Sequence, residues 1–200
     1  LLSAGRGLEA LGEILSADVL PKNFHEGRGV WHARNHIHGL AGLAAAAAGR
    51  AEQAAAYFRM AAERPWTTGE ATFYQALALW QLGNDDEADR LLEGLRQAGE
   101  SLVRQAGRPD AAAVAAPTLP FEGDRKKRAE GEGAYYQALA RIGLGRGDPG
   151  RIAEGRRELE AILARTELLG AWIHAGKTGT EVLEIVLGPA SGHPEGGAPC

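Results

Sequence analysis

Apolar residues recur along this chain at helical intervals, and glycine or proline interrupts each run. Leu8, Leu11, Ile14 and Leu15 fall three and four apart, which predicts a first helix over residues 3–16 with Pro21 beyond its end. Residues 19–29 read as a loop. A second helix is predicted from about 30 to 48, ended by Gly49, which is free to take positive φ. A third covers 51–63 and stops before Pro65. Thr67 or Thr68 can cap a fourth over 70–82, closed by Gly83 in the same way, and a fifth runs from 85 to 105. Pro109, Pro117 and Pro120 break the pattern across 107–123. A sixth helix is predicted over 125–144, then a turn over 145–150 and a return helix over 152–164. One or two further helices, interrupted near Gly176-Lys177-Thr178-Gly179, carry the chain to 187, and 188–200 reads as a flexible tail.

Internal repetition turns this string of helices into an architecture. The segment TFYQALALWQLG at 72–83 returns as AYYQALARIGLG at 134–145. Stepping back about 34 residues from Gly83, Ala88, Leu92 and Leu95 reaches Gly49, Ala54, Phe58 and Ala61. Small residues at Gly42, Ala76 and Ala138 let a second helix approach the first, Ala54 and Ala88 serve that contact from the other side, and Phe58 and Leu92 fill the space beyond. The expected fold is therefore all-α, with antiparallel helix hairpins stacked as a short right-handed solenoid. Its units are 30–64, 67–106 and 124–164, with flanking helices at 3–16 and 165–187, in one domain over 1–187.

This period and residue pattern resembles the tetratricopeptide repeat, over 37–64, 71–98 and, with an insertion around Asp148-Pro149, 134–164. A narrower resemblance rests on LPKNFHEG at 20–27 before the first repeat and TLPFEGD at 118–124 before the third. These look like the C-terminal repeats of long bacterial proteins whose β-rich N-terminal region, a domain of unknown function, is similar to carbohydrate-active enzymes. That resemblance implies a carbohydrate-related parent protein and carries over no catalytic residue.

Composition fits the helical reading. The chain has 200 residues, enough for one sizeable core, and few aromatic or β-branched residues in alternating order. A net charge of −4 gives no general pull toward nucleic acid or an anionic membrane. The apolar run over 37–48 is too short to cross a bilayer. Cys200 is the lone cysteine, so no internal disulfide forms and a reducing cytoplasm suits the chain. The opening Leu1-Leu2-Ser3, with no initiator methionine or leader, reads as a piece of something longer.

Few residue groups invite chemistry. His32 and His36 stand four apart on a predicted helix, near His25, Glu26 and His38, a spacing at which two imidazoles can reach one metal. The zinc-protease pattern fails because Ala33 stands where its glutamate belongs, and no third or fourth ligand is evident. Expected instead is a set of hydrogen-bonding groups, His32, Asn35, His36 and His38, at the mouth of a repeat groove, with no metal or cofactor. Gly176-Lys177-Thr178 lacks the first glycine and the strand of a phosphate loop, since Ala171 occupies that place. The basic run Arg125-Lys126-Lys127-Arg128, flanked by Asp124, Glu130 and Glu132, reads as a solvated helix face, and Asp85-Asp86-Glu87 as first-turn acids that complement a helix dipole.

Phe73, Tyr74, Trp80, Tyr135 and Tyr136 are expected mostly in the core. Neighbours on a helix point about 100° apart, so Tyr74 and Gln75 are not both expected to be buried, and one of each tyrosine pair is expected on the groove side. Tyr74 with Gln75, and Tyr136 with Gln137, thus join the groove candidates. The expected function is a non-catalytic scaffold whose groove docks a peptide segment or an adjacent domain of the same protein. The alternatives are an accessory helical part of a carbohydrate-processing enzyme and, with less support, a metal protein using His32, His36 and Glu26. Neither nucleic acid nor membrane is an expected partner.

Overall fold

The structure, a computed structural model, describes residues 1–2, 4–17, 35–63, 69–106 and 122–165. Among them are seven helices and no strand: α1 (Gly7–Ala17), α2 (Asn35–Ala47), α3 (Ala51–Ala62), α4 (Glu70–Gln81), α5 (Asp85–Ala106), α6 (Glu122–Leu144) and α7 (Pro149–Arg165). The helices predicted in 165–187, the start of the second helix at 30–34 and the cap candidates Thr67 and Thr68 fall outside the described residues. The cap position of α4 is itself occupied by Gly69.

Local chemistry explains the hairpin turns. After α2, Gly49 takes φ +73°, the Gly49 N–H donates to Ala46 O and the Arg50 N–H to Ala45 O. After α4, Gly83 repeats this at φ +80°, with Gly83 N–H to Trp80 O and Asn84 N–H to Leu79 O. Both are Schellman closures, in which a left-handed glycine lets two amides satisfy carbonyls that a helix end leaves open. The third hairpin turns differently from the expected loop over 145–150. Asp148 Oδ1 accepts from the Gly150 and Arg151 N–H groups at 2.9 and 3.2 Å. Asp148 is therefore an N-cap, and Pro149 begins α7 at the position where proline's missing N–H costs nothing.

Helix order follows from packing. The pairs α2/α3, α4/α5 and α6/α7 each pack together, α3 also meets α4, α5 meets α6, and the first helices touch in the order α2, α4, α6. The most extensive of these contacts joins α5 to α6. Gly42, Ala54, Phe58, Ala76, Ala88, Leu92 and Ala138 are all buried. A Cβ on Gly42 would lie 2.5 Å from the Phe58 ring, so the glycine is what lets α2 rest on α3. In α1 the buried face differs from the predicted stripe. Leu8 is 56% exposed and Leu15 is exposed, while Gly7, Ala10 and Leu11 are buried. Gly7 sets that rotation: a Cβ there would sit 2.8 Å from Ala48 N, so α1 crosses the end of α2 on its smallest residue.

Arg146, in the turn before α7, fastens the third hairpin to the second. Its side chain is 15% exposed, pairs with Asp89 and, at 3.7 Å, with Asp85, and lies 5.7 Å from the Trp80 ring centroid. Asp85 thus serves a cross-hairpin pair as well as the first turn of α5. No described helix is long and apolar enough to cross a membrane.

Candidate functional site

The first helices touch in the order α2, α4, α6, and most of the candidate residues lie on them. His36 is exposed on α2, its ring centroid 6.3 Å from that of Tyr74 on α4. Gly39, one turn along α2, lies under the same tyrosine, with a Cβ there reaching within 3.5 Å of Tyr74 Cδ1. Tyr136 on α6 repeats the relationship toward α4. It packs on Gly69, where any Cβ would collide with the phenol, and its hydroxyl donates to Glu132 one turn earlier.

Two of the candidate amides are committed elsewhere. Asn35 Nδ2 donates to Ala61 O at 2.6 Å, and Gln75 Nε2 donates to Ala62 O at 2.8 Å. Together they satisfy carbonyls in the last turn of α3, which the helix itself leaves open. Gln137 holds the equivalent place on α6 and faces α5, its Cγ 3.0 Å from a Cβ built on Gly99. Both glutamines of the repeated segment thus turn toward the preceding hairpin's second helix. His38 is buried, and His32, like His25 and Glu26, falls outside the described residues.

The expectation that Tyr74 and Gln75 could not both be buried is not met. Every residue from Ala71 to Leu79 is buried, because α4 is covered by α2, α3, α5 and α6 at once. A 100° step around such a helix leads from one neighbour to the next and never to water. Tyr135 and Tyr136 are both buried for a related reason, so neither pair offers one ring inward and one outward.

A group that the sequence reading passed over lies between α4 and α6. Glu70, half-buried in the first turn of α4, has Tyr74, Tyr135 and Tyr136 within its electrostatic reach, and the buried Tyr135 hydroxyl meets no hydrogen-bond partner among the described residues. Burial pushes the Glu70 carboxyl above the usual carboxylate range, while the neighbouring Tyr135 hydroxyl works in the opposite direction. Burial also raises the phenols of Tyr74, Tyr135 and Tyr136; the Glu70 charge adds to the first two, and the hydrogen bond with Glu132 adds to the third. The three tyrosines therefore remain neutral hydrogen-bond donors at ordinary pH. A usable signal was present in the sequence: Glu70 stands four before Tyr74, as Glu132 stands four before Tyr136, a spacing that brings each pair together on a helix.

Among the described residues no three His, Cys, Asp or Glu side chains come together as a metal site. The Gly176-Lys177-Thr178 stretch falls outside those residues, while Lys126 and Lys127 are exposed and Lys126 lies 3.8 Å from Glu130. Of the candidate side chains described on α2, α4 and α6, His36 is exposed, Gln137 is partly buried toward α5, and Asn35, His38, Tyr74, Gln75 and Tyr136 are buried. No family model, curated protein or solved structure matches this chain.

Proposed function

We propose that this chain is a tetratricopeptide-like docking module, whose first helices α2, α4 and α6 present a shared face to a peptide segment or an adjacent domain of the same protein. The observation that carries the reading is the contact order. Each first helix packs on its own partner, and α4 packs on both α2 and α6, an order that supports hairpins stacked in sequence. The period of about 34 residues, the buried small residues at equivalent places and the glycine-closed turns support the same solenoid. His36, exposed on α2, is the side chain through which the first helices meet the partner.

The test is binding of the purified chain to tiled peptides covering the remainder of its own gene product. Retained peptides should lose affinity on His36→Ala and keep it on Met60→Ser, which changes an exposed α3 residue. Absence of any retained peptide, or retention indifferent to His36, would remove the proposal.

A further inference from the structure

Consecutive basic residues occur at two places in the chain, Arg125-Lys126-Lys127-Arg128 in α6 and Arg156-Arg157 in α7, and the two helices hold them differently. Arg156 is half-buried and stands between Gly155 and Leu159, both buried, with Ile152 and Ile162 buried a further turn out on either side. The α6 run lies outside the packed part of its helix. Lys126, Lys127 and Glu130 are exposed and Ala129, Gly131 and Glu132 half-buried, while burial begins at Gly133 and continues through Tyr135, Tyr136, Ala138, Leu139 and Ile142. On the facing helix the change falls at the same place: Gly99, against the Gly133 backbone, is buried, and Val103, Arg104 and Gln105 beyond it are exposed.

The outer part of α6 has little local support. Gly131 and Gly133 stand in the middle of the helix, and glycine is the poorest helix former after proline. The Lys126–Glu130 ion pair, at 3.8 Å, is exposed at both ends and contributes little. Segments with few buried contacts open separately from the rest of a fold and at much lower cost. Opening also changes what the run presents. Successive positions on a helix turn by about 100°, so four consecutive basic positions encircle it and no partner on one side meets all four. In an extended chain they lie in line, the form in which a peptide is taken into a binding cleft.

We propose that the run at 125–128 is a processing site, cut after Arg128 by an endoprotease that reads consecutive basic side chains, and that local opening of α6 over 122–132 presents it. Water adds across the Arg128–Ala129 peptide bond: the C–N bond breaks, the water oxygen ends in the Arg128 carboxylate, and the new amine belongs to Ala129. The remaining helix keeps its buried positions from Gly133 onward and gains Glu130 and Glu132 in its new first turn, where acids favour a helix start. The third hairpin is then tied to the second by packing and by Arg146 alone. The cut leaves α2 and α4 untouched, so this proposal and the docking proposal fail independently.

The test treats the whole folded chain with a processing endoprotease that cleaves only after paired basic residues, and follows intact mass and fragment N-termini with time. The expected product is one pair of fragments, the second beginning at Ala129, which co-elute in size-exclusion chromatography. Peptides covering 120–136 and 150–164 should both be cut, and the folded chain at the first site only. Lys127→Gln should abolish the cut without moving the thermal unfolding midpoint. Gly94→Ala, whose new methyl would meet nothing within 4 Å, should leave the rate unchanged, whereas cutting by way of global unfolding would slow by about 2–5-fold. A folded chain left intact under conditions that cut the 120–136 peptide, cleavage after Arg157 as fast as after Arg128, or a rate that falls with Gly94→Ala overturns the proposal.

Discussion

Gly99 and Gly133 meet backbone to backbone where α5 crosses α6, each carbonyl oxygen occupying the place a side chain on the other would need. Val103 Cγ2 and Leu102 Cβ close over the same spot, 2.8 and 3.2 Å from a Cβ built on Gly133. The most extensive contact among the described helices is therefore built on the smallest residues.

That crossing predicts opposite outcomes for glycine-to-alanine changes in one helix. Gly99→Ala should destabilise by about 1–3 kcal/mol, since a backbone atom must yield to the new methyl. Gly94→Ala, also in α5 but with nothing within 4 Å, should stabilise by roughly 0.5–1 kcal/mol through the lost freedom of the unfolded chain. Thermal unfolding followed by circular dichroism separates them, at roughly 2–4 °C per kcal/mol for a chain of this size.

Gly42 and Phe58 should behave as one unit. Phe58→Ala leaves a cavity and should cost about 3–5 kcal/mol, and Gly42→Ala should cost about 1–3 kcal/mol by pressing on the ring. Phe58→Leu combined with Gly42→Ala should cost less than the two single changes together, because the smaller side chain vacates the space the methyl needs. Additive denaturation energies would show that the contact is not shared.

Arg146 should couple to Asp89 across the second and third hairpins. The pair is partly shielded, with the arginine side chain 15% and the aspartate side chain 48% exposed, so a double-mutant cycle of Arg146→Met and Asp89→Asn should return on the order of 1 kcal/mol. The coupling should shrink when the cycle is repeated in high salt. A value that ignores salt would point to packing of the arginine on Trp80 as the source.

Two glutamates should give pH dependences of opposite sign. The Glu70 carboxyl is raised in the folded state, so its contribution is complete below 4.5 and is lost as pH rises through the folded value. The wild type should therefore lose stability relative to Glu70→Gln as pH rises above 4.5. Glu93 is the reverse: its hydrogen bonds with Arg96, then with Gln97, lower it to about 2, so its contribution is present above 4.5 and disappears as pH falls toward 2. Chemical denaturation of the wild type, Glu70→Gln and Glu93→Gln across this range checks both signs.

The helices and their hairpin turns were legible in the sequence because they are set locally. Gly49 and Gly83 end their helices by backbone conformation alone, and the predicted fourth helix, 70–82, differs from Glu70–Gln81 by one residue. The Asp148-Pro149 start of α7 was equally local, yet it was read as part of a turn, because Gly145, Gly147 and Gly150 outweighed a cap-and-proline signal. Leu8 and Leu15 looked like core by period, but a stripe gives spacing and leaves open which side of it is covered.

By itself, then, the sequence determined the all-helical character of the described residues, where most of their helices begin and end, and which small residues are available for close approach, since these follow from dihedral preferences and periodicity within a few residues. Tertiary structure alone decided that α4 is enclosed from Ala71 to Leu79, that Asn35 and Gln75 close the end of α3, that α5 and α6 cross at Gly99 and Gly133, and that Gly69 lies against Tyr136. Those outcomes depend on how many neighbours a helix acquires and at what rotation, and both are set by packing between segments far apart in the chain.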